Sequence, residues 1–488
     1  MTTSPTHIES PAVPLRNGPA IALLVASAFV VVVNEMAMGV AIPDIMADFG
    51  VSAASAQWLT TAVMLTMAVS IPVTGVVLQR FTLRRNFFTA MGLFAVGTAI
   101  AVIAPTFEVL LAARIIQALG TSVVLPMLFT SVMQLVAPER RGRVMGVVTI
   151  VTAAAPALAP TVSGMIVSAL GWRWVFIIVL PIALLTIAAG VAWLRNVTPT
   201  LPARFDVLSV ALSAVAFAGM IYGLASIGEQ AAGDGGLAPW IPIVMGVAAL
   251  AALLARQLAL LGTDRVLLDV RVFAHRLFTL STITMLIVSI SMFGSLLLLP
   301  LYIQQVLGEP AWVAGLMLLP GGILSGVLGP FVGMAYDKVG PRALIVPGAV
   351  ISTIALFMFS GLGVDTPVWL VVATHVVLSI GIALVTTPLM TSALGSVPPK
   401  LYPHASAIVN TLQQVSGAAG TALFITLFTV AATANVADSP LAALADGVGT
   451  AFRVGAAINV AAIVLALFLR KAPASVSNQA DDDIEVPA

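Results

Sequence analysis

Long apolar stretches alternate with short polar connections along almost the whole chain. Each stretch is long enough to cross a bilayer, which takes about 20 apolar residues in a helix. The pattern predicts an all-α integral membrane protein with fourteen transmembrane helices. The predicted spans are 20–42, 56–78, 86–104, 107–131, 144–168, 172–194, 206–227, 238–260, 278–306, 311–335, 342–361, 367–392, 404–432 and 448–469.

The composition agrees with this interpretation. Hydrophobic residues make up 60% of the 488 residues and charged residues only 8%, whereas soluble domains carry about 25% charged residues. The chain has no cysteine, which excludes disulfides and thiolate metal sites. Its four histidines are too scattered for a metal site, and it lacks the glycine-rich phosphate loop that would use ATP. We expect no metal, no cofactor and no nucleic-acid partner.

The basic residues lie almost entirely on one side of the predicted membrane. An even number of spans places both termini on one side. If that side is cytoplasmic, all but three of the 21 Lys and Arg residues are cytoplasmic as well; the exceptions are Arg114, Arg173 and Arg453. Because cytoplasmic loops carry the excess of Lys and Arg, we predict a multi-pass protein with both termini in the cytoplasm.

The chain contains an internal repeat whose offset is 257 residues between Pro43 and Pro300, 258 between Gly75 and Gly333, and 261 between Arg114 and His375. The segment 75–84, between spans 2 and 3, corresponds to the segment 333–342, between spans 10 and 11. Spans 9–14 thus repeat spans 1–6, and spans 7 and 8 are an insertion. Parallel six-helix halves around a central site are an architecture of alternating-access transporters. The predicted divisions are a cytoplasmic tail (1–19), an N-terminal six-helix bundle (20–194), two inserted helices with flanking loops (195–277), a C-terminal six-helix bundle (278–470) and an acidic cytoplasmic tail (471–488).

Glu35 stands within the otherwise apolar first span. A carboxylate at membrane depth costs several kcal/mol by most estimates, about 3 kcal/mol on insertion scales, and such residues mark proton or ion pathways. We therefore interpret Glu35 as a candidate proton carrier. At the corresponding position of the second half stands Met292, so the repeat supplies no second acid on this axis.

The repeated loop has two unequal copies. The copy at 333–342 reads Gly-x3-Asp-Lys-x-Gly-Pro-Arg, whereas the copy at 75–84 has Gln79 and Thr82 in place of the Asp and the second Gly. Polar or proline-rich motifs also lie in three spans, at 34–43, 111–120 and 155–164.

With these motifs the chain, from about residue 20 to 470, resembles the major facilitator superfamily and, within it, the fourteen-span drug:proton antiporters. The first span is similar to that of lincomycin-type multidrug efflux pumps of Gram-positive bacteria. The resemblance implies that spans 1 and 4 face one cavity, in which ionised Glu35 pairs with Arg114 or with a cationic drug. Protonation of Glu35 would release the pair. Alternatively, the two residues form a buried polar contact with the structural role of holding two helices together. His375, at the repeat position of Arg114, would relay a proton or contact substrate, or is a neutral core histidine.

Several polar or amphipathic side chains in apolar spans are candidates for the substrate wall, although most can equally form helix-to-helix hydrogen bonds. A large apolar cavity with few polar contacts suits bulky lipophilic compounds. The candidate substrate-contacting residues are Asn34, Gln57, Trp58, Gln117, Tyr302, Gln304, His375, Asn410 and Gln413.

The two basic loops are candidates for a cytoplasmic latch between helix ends, although positive charge that anchors the topology is an alternative role. In span 5, two prolines and a glycine resemble a tight seal of the family, or form an ordinary kink. The candidate gating residues are Gly75, Arg80, Arg84, Arg85, Gly333, Asp337, Lys338, Gly340 and Arg342 in the loops, and Pro156, Pro160 and Gly164 in span 5.

Together these features predict a monomeric, proton-driven efflux transporter of the bacterial cytoplasmic membrane, not an enzyme. Protons would be the coupling ion, and the expected partners are small lipophilic or cationic substrates and membrane lipids. Two alternatives remain: an exporter of an endogenous metabolite or lipid precursor, and a membrane sensor or scaffold that does not transport.

Overall fold

The computed structural model describes residues 18–151, 155–196, 200, 204–231, 238–434 and 439–469. All but the last two residues of the predicted tail 1–19, and the whole predicted tail 471–488, lie outside the described residues.

The described residues form α-helices, without strands among them. Three short 3-10 helices, at Pro138–Arg140, Val270–Ala274 and Pro399–Leu401, lie in the connections. The α-helices are α1 (Gly18–Phe49), α2 (Ala53–Arg80), α3 (Leu83–Ile103), α4 (Phe107–Leu135), α5 (Arg141–Thr149), α6 (Ala155–Leu170), α7 (Arg173–Trp193), α8 (Val207–Ala231), α9 (Trp240–Ala259), α10 (Arg276–Gln305), α11 (Ala311–Val339), α12 (Arg342–Phe359), α13 (Val368–Gly395), α14 (Tyr402–Ala434) and α15 (Pro440–Ala466).

Thirteen of these helices are long and apolar enough to cross a membrane. They correspond to all the predicted spans except the fifth, in which the described residues form α5 and α6 and residues 152–154 lie outside the described ones. The helices also run past the predicted apolar limits; α1 continues to Phe49 although Pro43 lies inside it. Membrane helices tolerate proline because neighbouring groups satisfy the freed carbonyl.

The helices before and after the inserted pair pack into two groups. In the first group α4 packs against α1, α2 and α3, and α7 against α1 and α3. In the second group α13 packs against α10, α11 and α12, and α15 against α10, α12 and α14. Helices α8 and α9 form a hairpin of their own.

The two groups meet most extensively along two helix pairs, α5 with α11 and α2 with α14, and α6 with α11, α5 with α13 and α4 with α14 also pack across. Under the repeat, α2 corresponds to α11 and α14 to α5, so the two pairs are equivalent places in the two halves. We call them the α5–α11 seam and the α2–α14 seam. Both seams are closed at the end where the basic loops lie, which we call the basic side.

Candidate functional site

A chain of buried polar groups joins α1, α3 and α4. Arg114 is only 3% exposed. Its Nη1 donates to Asn34 Oδ1 at 3.3 Å and to Gln117 Oε1 at 2.9 Å. Gln117 in turn donates from Nε2 to Thr98 Oγ1 at 2.8 Å. Residues three apart on a helix share a face, so α4 presents Arg114 and Gln117 together toward α1.

Glu35 borders the same group. A small cavity of about 10 Å³ is lined by Glu35 and Asn34 from α1 and by Arg114 and Gln117 from α4. This volume is about the least that holds one water molecule. Spans 1 and 4 therefore do line a common cavity, as the resemblance implied.

The direct pair between Glu35 and Arg114 is not formed in this conformation. Among the described residues, no ion pair within 4.0 Å includes Glu35. Arg114 is held instead by two neutral amides. Within the described part of the chain, its Nε and Asn34 Nδ2 are buried without a hydrogen-bond partner. Buried polar atoms are normally paired, so the cavity has unused hydrogen-bonding capacity next to the carboxyl group of Glu35.

The α5–α11 seam is closed by a carboxylate at a helix N-terminus. Asp337 of α11 accepts hydrogen bonds from the backbone N–H groups of Gly142 at 2.9 Å and Arg143 at 3.0 Å, in the first turn of α5. The first N–H groups of a helix have no partner within the helix, and the helix dipole favours a negative charge there. Asp337 therefore binds the opposite group of helices through the start of α5.

Glycines allow the close crossing at this seam. A Cβ at Gly333 would collide with the carbonyl oxygen of Gly142, and a Cβ at Gly146 would collide with that of Gly329. Small residues let membrane helices approach at backbone distance. A larger residue at these positions would push α5 and α11 apart.

The α2–α14 seam has a different contact at the equivalent place. Gln79, at the repeat position of Asp337, donates from Nε2 to the backbone carbonyl of Lys400 at 3.2 Å. Lys400 lies in the 3-10 helix just before α14, and Gly142 lies at the start of α5, so both contacts are made near the start of the corresponding helix. The amide thus replaces a charged cap by one neutral hydrogen bond, which is typically weaker. The two seams are therefore chemically unequal.

Two further contacts join the groups at the basic side. Arg141 donates from Nη2 to the carbonyl of Met133, at the end of α4, and from Nη1 to the hydroxyl of Tyr402, at the start of α14, at 3.2 Å. The hydroxyl of Ser406 donates to the carbonyl of Pro126. No sequence motif distinguishes Arg141, because it is one Arg among several in a basic loop.

Comparison with known proteins identifies this arrangement. The family model described as "Major Facilitator Superfamily" matches residues 24–421. The chain is 38% identical over 465 residues to the lincomycin resistance protein LmrB of Listeria innocua, covering 94% of this chain and 98% of that protein. It is 36% identical over 459 residues to LmrB of Bacillus subtilis, covering 92% and 95%. The chain belongs to the Major Facilitator Superfamily.

A solved structure shows the same fold. The crystal structure of the human organic anion transporter MFSD10 (TETRAN) superposes on this superfamily member with a TM-score of 0.66. The match covers 93% of this chain and 100% of that one, at 13% sequence identity. The chain is thus a multi-pass membrane transporter of the major facilitator fold, with drug-resistance proteins among its relatives, and not an enzyme.

The contacts that the described residues show for the arginines of the first loop are with aromatic rings, and their place in a latch stays a prediction. Arg80 lies over the rings of Phe81 and Phe205, and Arg85 lies 4.3 Å from the ring centre of Phe81. Arg84 lies over Phe88. Such cation–π contacts keep the guanidinium groups at the basic side without a carboxylate.

In the second loop, Asp337 is the residue that spans the seam, whereas Lys338 and Arg342 are exposed. Gly340 ends α11 with a φ of +80°, which an L side chain rarely adopts. Its role in the structure is therefore to terminate the helix. Gly75, by contrast, lies at a close approach, because a Cβ there would lie 3.0 Å from His404 Nδ1.

Of the predicted seal in span 5, the structure describes the side-chain surroundings of Gly164. Pro156 and Pro160 lie within α6, and their side chains are outside the described ones. A Cβ at Gly164 would make only an ordinary contact, 3.7 Å from Val40 Cγ1 of α1. The close glycine crossing through Gly146 lies in the first part of the same predicted span, between α5 and α11, and the sealing role of Pro156, Pro160 and Gly164 stays a prediction.

Some predicted substrate residues form internal bonds of the second group of helices. Tyr302 is 1% exposed and donates to the carbonyl of Gly363 at 2.7 Å. Its place in that packed core corrects the prediction that it lines a substrate wall in this conformation. Asn410 is buried and donates to the carbonyl of Ser406 in its own helix. Gln413 contacts the sulfur of Met285.

The other predicted substrate residues are spread over the molecule. Gln57 and Trp58 are exposed near the start of α2, and Gln304 is exposed near the end of α10. His375 packs against Gly321 of α11, with its Nδ1 buried and without a hydrogen-bond partner in the described part of the chain. Among the predicted substrate residues, only Asn34 and Gln117 border the cavity beside Glu35.

Proposed function

We propose that this transporter exports lipophilic and cationic drugs, including lincomycin-like antibiotics and cationic dyes, in exchange for protons across the bacterial cytoplasmic membrane. Two LmrB proteins named for lincomycin resistance match almost the full length of the chain, which supports drug export. The observation that carries the proton coupling is the cavity that Glu35 shares with Arg114.

In this proposal Glu35 alternates between a proton and a cationic partner. Arg114 is bonded to Asn34 and Gln117 in the described conformation, so the carboxyl group of Glu35 is available to a proton or to the cargo. When the cargo leaves, an ionised Glu35 can draw Arg114 away from the two amides. Desolvating two charges often costs more than their attraction returns, which makes such a pair better suited to a switch than to a stabilising contact.

Rocking of the two groups of helices would then carry the cargo across. The contacts at the basic side close one face of the molecule, and alternating access requires them to open in another step. His375 is the second titratable candidate, since its unpartnered Nδ1 leaves capacity for a proton or a polar cargo group. The cargo-contacting roles of Gln57, Trp58 and Gln304 stay predictions.

The test is exchange in proteoliposomes with an imposed pH gradient. Wild-type protein is expected to move protons when lincomycin or a cationic dye is added, and Glu35→Gln, which keeps the size of the side chain, is expected to abolish that flux. Glu108→Gln is the matched control, because Glu108 is an exposed acid in the first turn of α4, away from the cavity.

Each other outcome has a definite meaning. Drug movement without proton flux would indicate a facilitator, and flux untouched by Glu35→Gln would refute Glu35 as the carrier and make His375 the next residue to replace. If the protein transports none of the drugs but exchanges an endogenous metabolite, the alternative exporter is favoured. If the correctly folded protein transports none of these compounds, a sensor or scaffold is favoured.

A further inference from the structure

The inserted helices lie across the α2–α14 seam. Helix α8 packs against α2 from the first group and against α14 from the second group, and α9 packs on the far side of α8. An insertion that touched only one group would move with that group. The pair α8–α9 instead contacts both sides of the junction that has to open.

The inserted pair is held as a unit at the basic side. Arg256 of α9 donates two hydrogen bonds to Asp206, just before α8, at 2.6 and 2.8 Å. Hydrogen bonds from Arg256 hold the pKa of Asp206 well below its usual range, and bidentate Arg–carboxylate pairs fix geometry as well as distance. Arg204 and Asp264 make a second ion pair between the two flanking segments at 3.1 Å.

Gln257 connects this unit to the segment that leads into α10. It is fully buried, and its Nε2 donates to Ser209 Oγ of α8 at 2.8 Å. Its Oε1 accepts from the backbone N–H groups of Leu267 at 2.8 Å and Leu268 at 3.2 Å. One side chain therefore satisfies two backbone donors that have no helical partner.

The same segment reaches the seam itself. The carbonyl of Leu267 lies 3.1 Å from Nδ1 of His404, which is buried in the first turn of α14. A Cβ at Gly75 of α2 would lie 3.0 Å from that Nδ1 and 3.5 Å from the Leu267 carbonyl oxygen. Helix α2, helix α14 and the segment from α9 thus converge on one point.

This convergence lies at the seam that lacks the acidic cap. At the α5–α11 seam Asp337 binds the start of α5, whereas at the α2–α14 seam the equivalent Gln79 makes one neutral hydrogen bond. The bonds through Gln257 and His404 supply fixed contacts at this second seam. The described residues show no comparable contact of the inserted helices with α5 or α11.

We infer that the inserted pair α8–α9 is a brace that holds the α2–α14 seam closed through Gln257, the Leu267 carbonyl and His404. Opening this seam at the basic side separates α14 from α2, so the bond between His404 and Leu267 must break or the connecting segment must follow. Gln257 and His404 are then positioning residues that set the balance between the closed and open seam. The inference rests on the alternating access of the proposed function.

The test uses a thiol at the seam. The chain has no native cysteine, so Ser406→Cys is a unique reporter at a fully buried seam position. In inside-out membrane vesicles, a membrane-impermeant maleimide labels it only while the seam is open. Glu139→Cys, in the exposed loop before α5, reports reagent access in every variant.

In the Ser406→Cys background, Gln257→Leu and His404→Leu are each expected to raise the labelling rate roughly tenfold, because each leaves buried polar groups of the closed seam unpaired. His404→Asn is expected to stay near the parent rate, since its amide can donate to the Leu267 carbonyl in place of Nδ1. Ser213→Ala is the matched control: Ser213 is a fully buried hydroxyl of α8 that bonds only within its own helix.

Unchanged labelling in both leucine variants, with Glu139→Cys labelled normally, would overturn the brace. An increase in the labelling rate in Ser213→Ala equal to that in Gln257→Leu would also overturn the brace, since general destabilisation of α8 would then explain the effect. Failure of the wild-type protein to exchange any cargo would instead refute the proposed function and leave the labelling result to be judged by itself.

Discussion

Asp337 is the residue whose removal should most directly open the α5–α11 seam. Its carboxylate accepts two backbone hydrogen bonds at the start of α5. Hydrogen bonds to a charged group contribute about 1.5–3 kcal/mol each when buried, and a charge at a helix terminus contributes about 0.3–1 kcal/mol. Asp337 is only half-buried and partly screened by solvent, so we discount the sum to about 2 kcal/mol, below the low end of these ranges.

For Asp337→Asn, which keeps one oxygen acceptor but loses the charge, we expect a shift of about 1 kcal/mol toward the open seam, or roughly fivefold in the equilibrium. For Asp337→Ala, which removes both acceptors, we expect about 2 kcal/mol or more, or roughly thirtyfold. The population of the open seam is expected to increase in the order wild type, Asp337→Asn, Asp337→Ala. This order depends only on the number of acceptors and on the charge that remain.

The measurement is a distance distribution between two spin labels placed across the α5–α11 seam, one on an exposed residue of the connection before α5 and one on an exposed residue of the loop 333–342. The chain's lack of cysteine leaves no background labels. Asp365→Asn is the charge-matched control, because Asp365 is an exposed acid between α12 and α13. If Asp337→Ala has the same distance distribution as the wild type, the cap does not hold the seam and the reasoning is wrong.

Two further predictions concern packing and pH. Gly333→Val is expected to abolish closure of the seam and transport while leaving the protein in the membrane, because its side chain would collide with the carbonyl of Gly142; normal transport with a closed seam would contradict this. The ion pair of Asp206 with Arg256 depresses the folded-state pKa of Asp206, so its stabilising effect is complete above the unfolded pKa of about 4 and is lost as the pH falls below it. Thermal unfolding from pH 7 to pH 3 should therefore show a smaller loss of stability in Asp206→Asn than in the wild type, and equal losses would argue against this pair.

The sequence predicts the positions of the helices better than it predicts the contacts of the site. Thirteen helices coincide with predicted spans, because the apolar length of a segment is a local property. The fifth predicted span contains α5 and α6, and residues 152–154 between them lie outside the described residues.

Some site residues could be found from type and position alone. Glu35 and Arg114 are charges inside apolar spans, and such residues call for a partner or a function wherever they lie. Gln257 belongs to a harder class, because one amide near the end of an apolar span resembles an ordinary interfacial residue. Its importance comes from the two backbone N–H groups that it binds, and nothing in the local sequence identifies them as its partners.

The amino-acid sequence by itself determined the membrane class, the repeat of two halves around an inserted pair, and the charge in the first span. These follow from hydropathy, the distribution of Lys and Arg, and the cost of a charge in an apolar segment. Only the tertiary structure decided that Arg114 is bonded to Asn34 and Gln117 and that Asp337 binds the start of α5. The physical reason is that hydrogen bonds act over about 3 Å, so a partner far away along the chain is chosen by the packing of the helices.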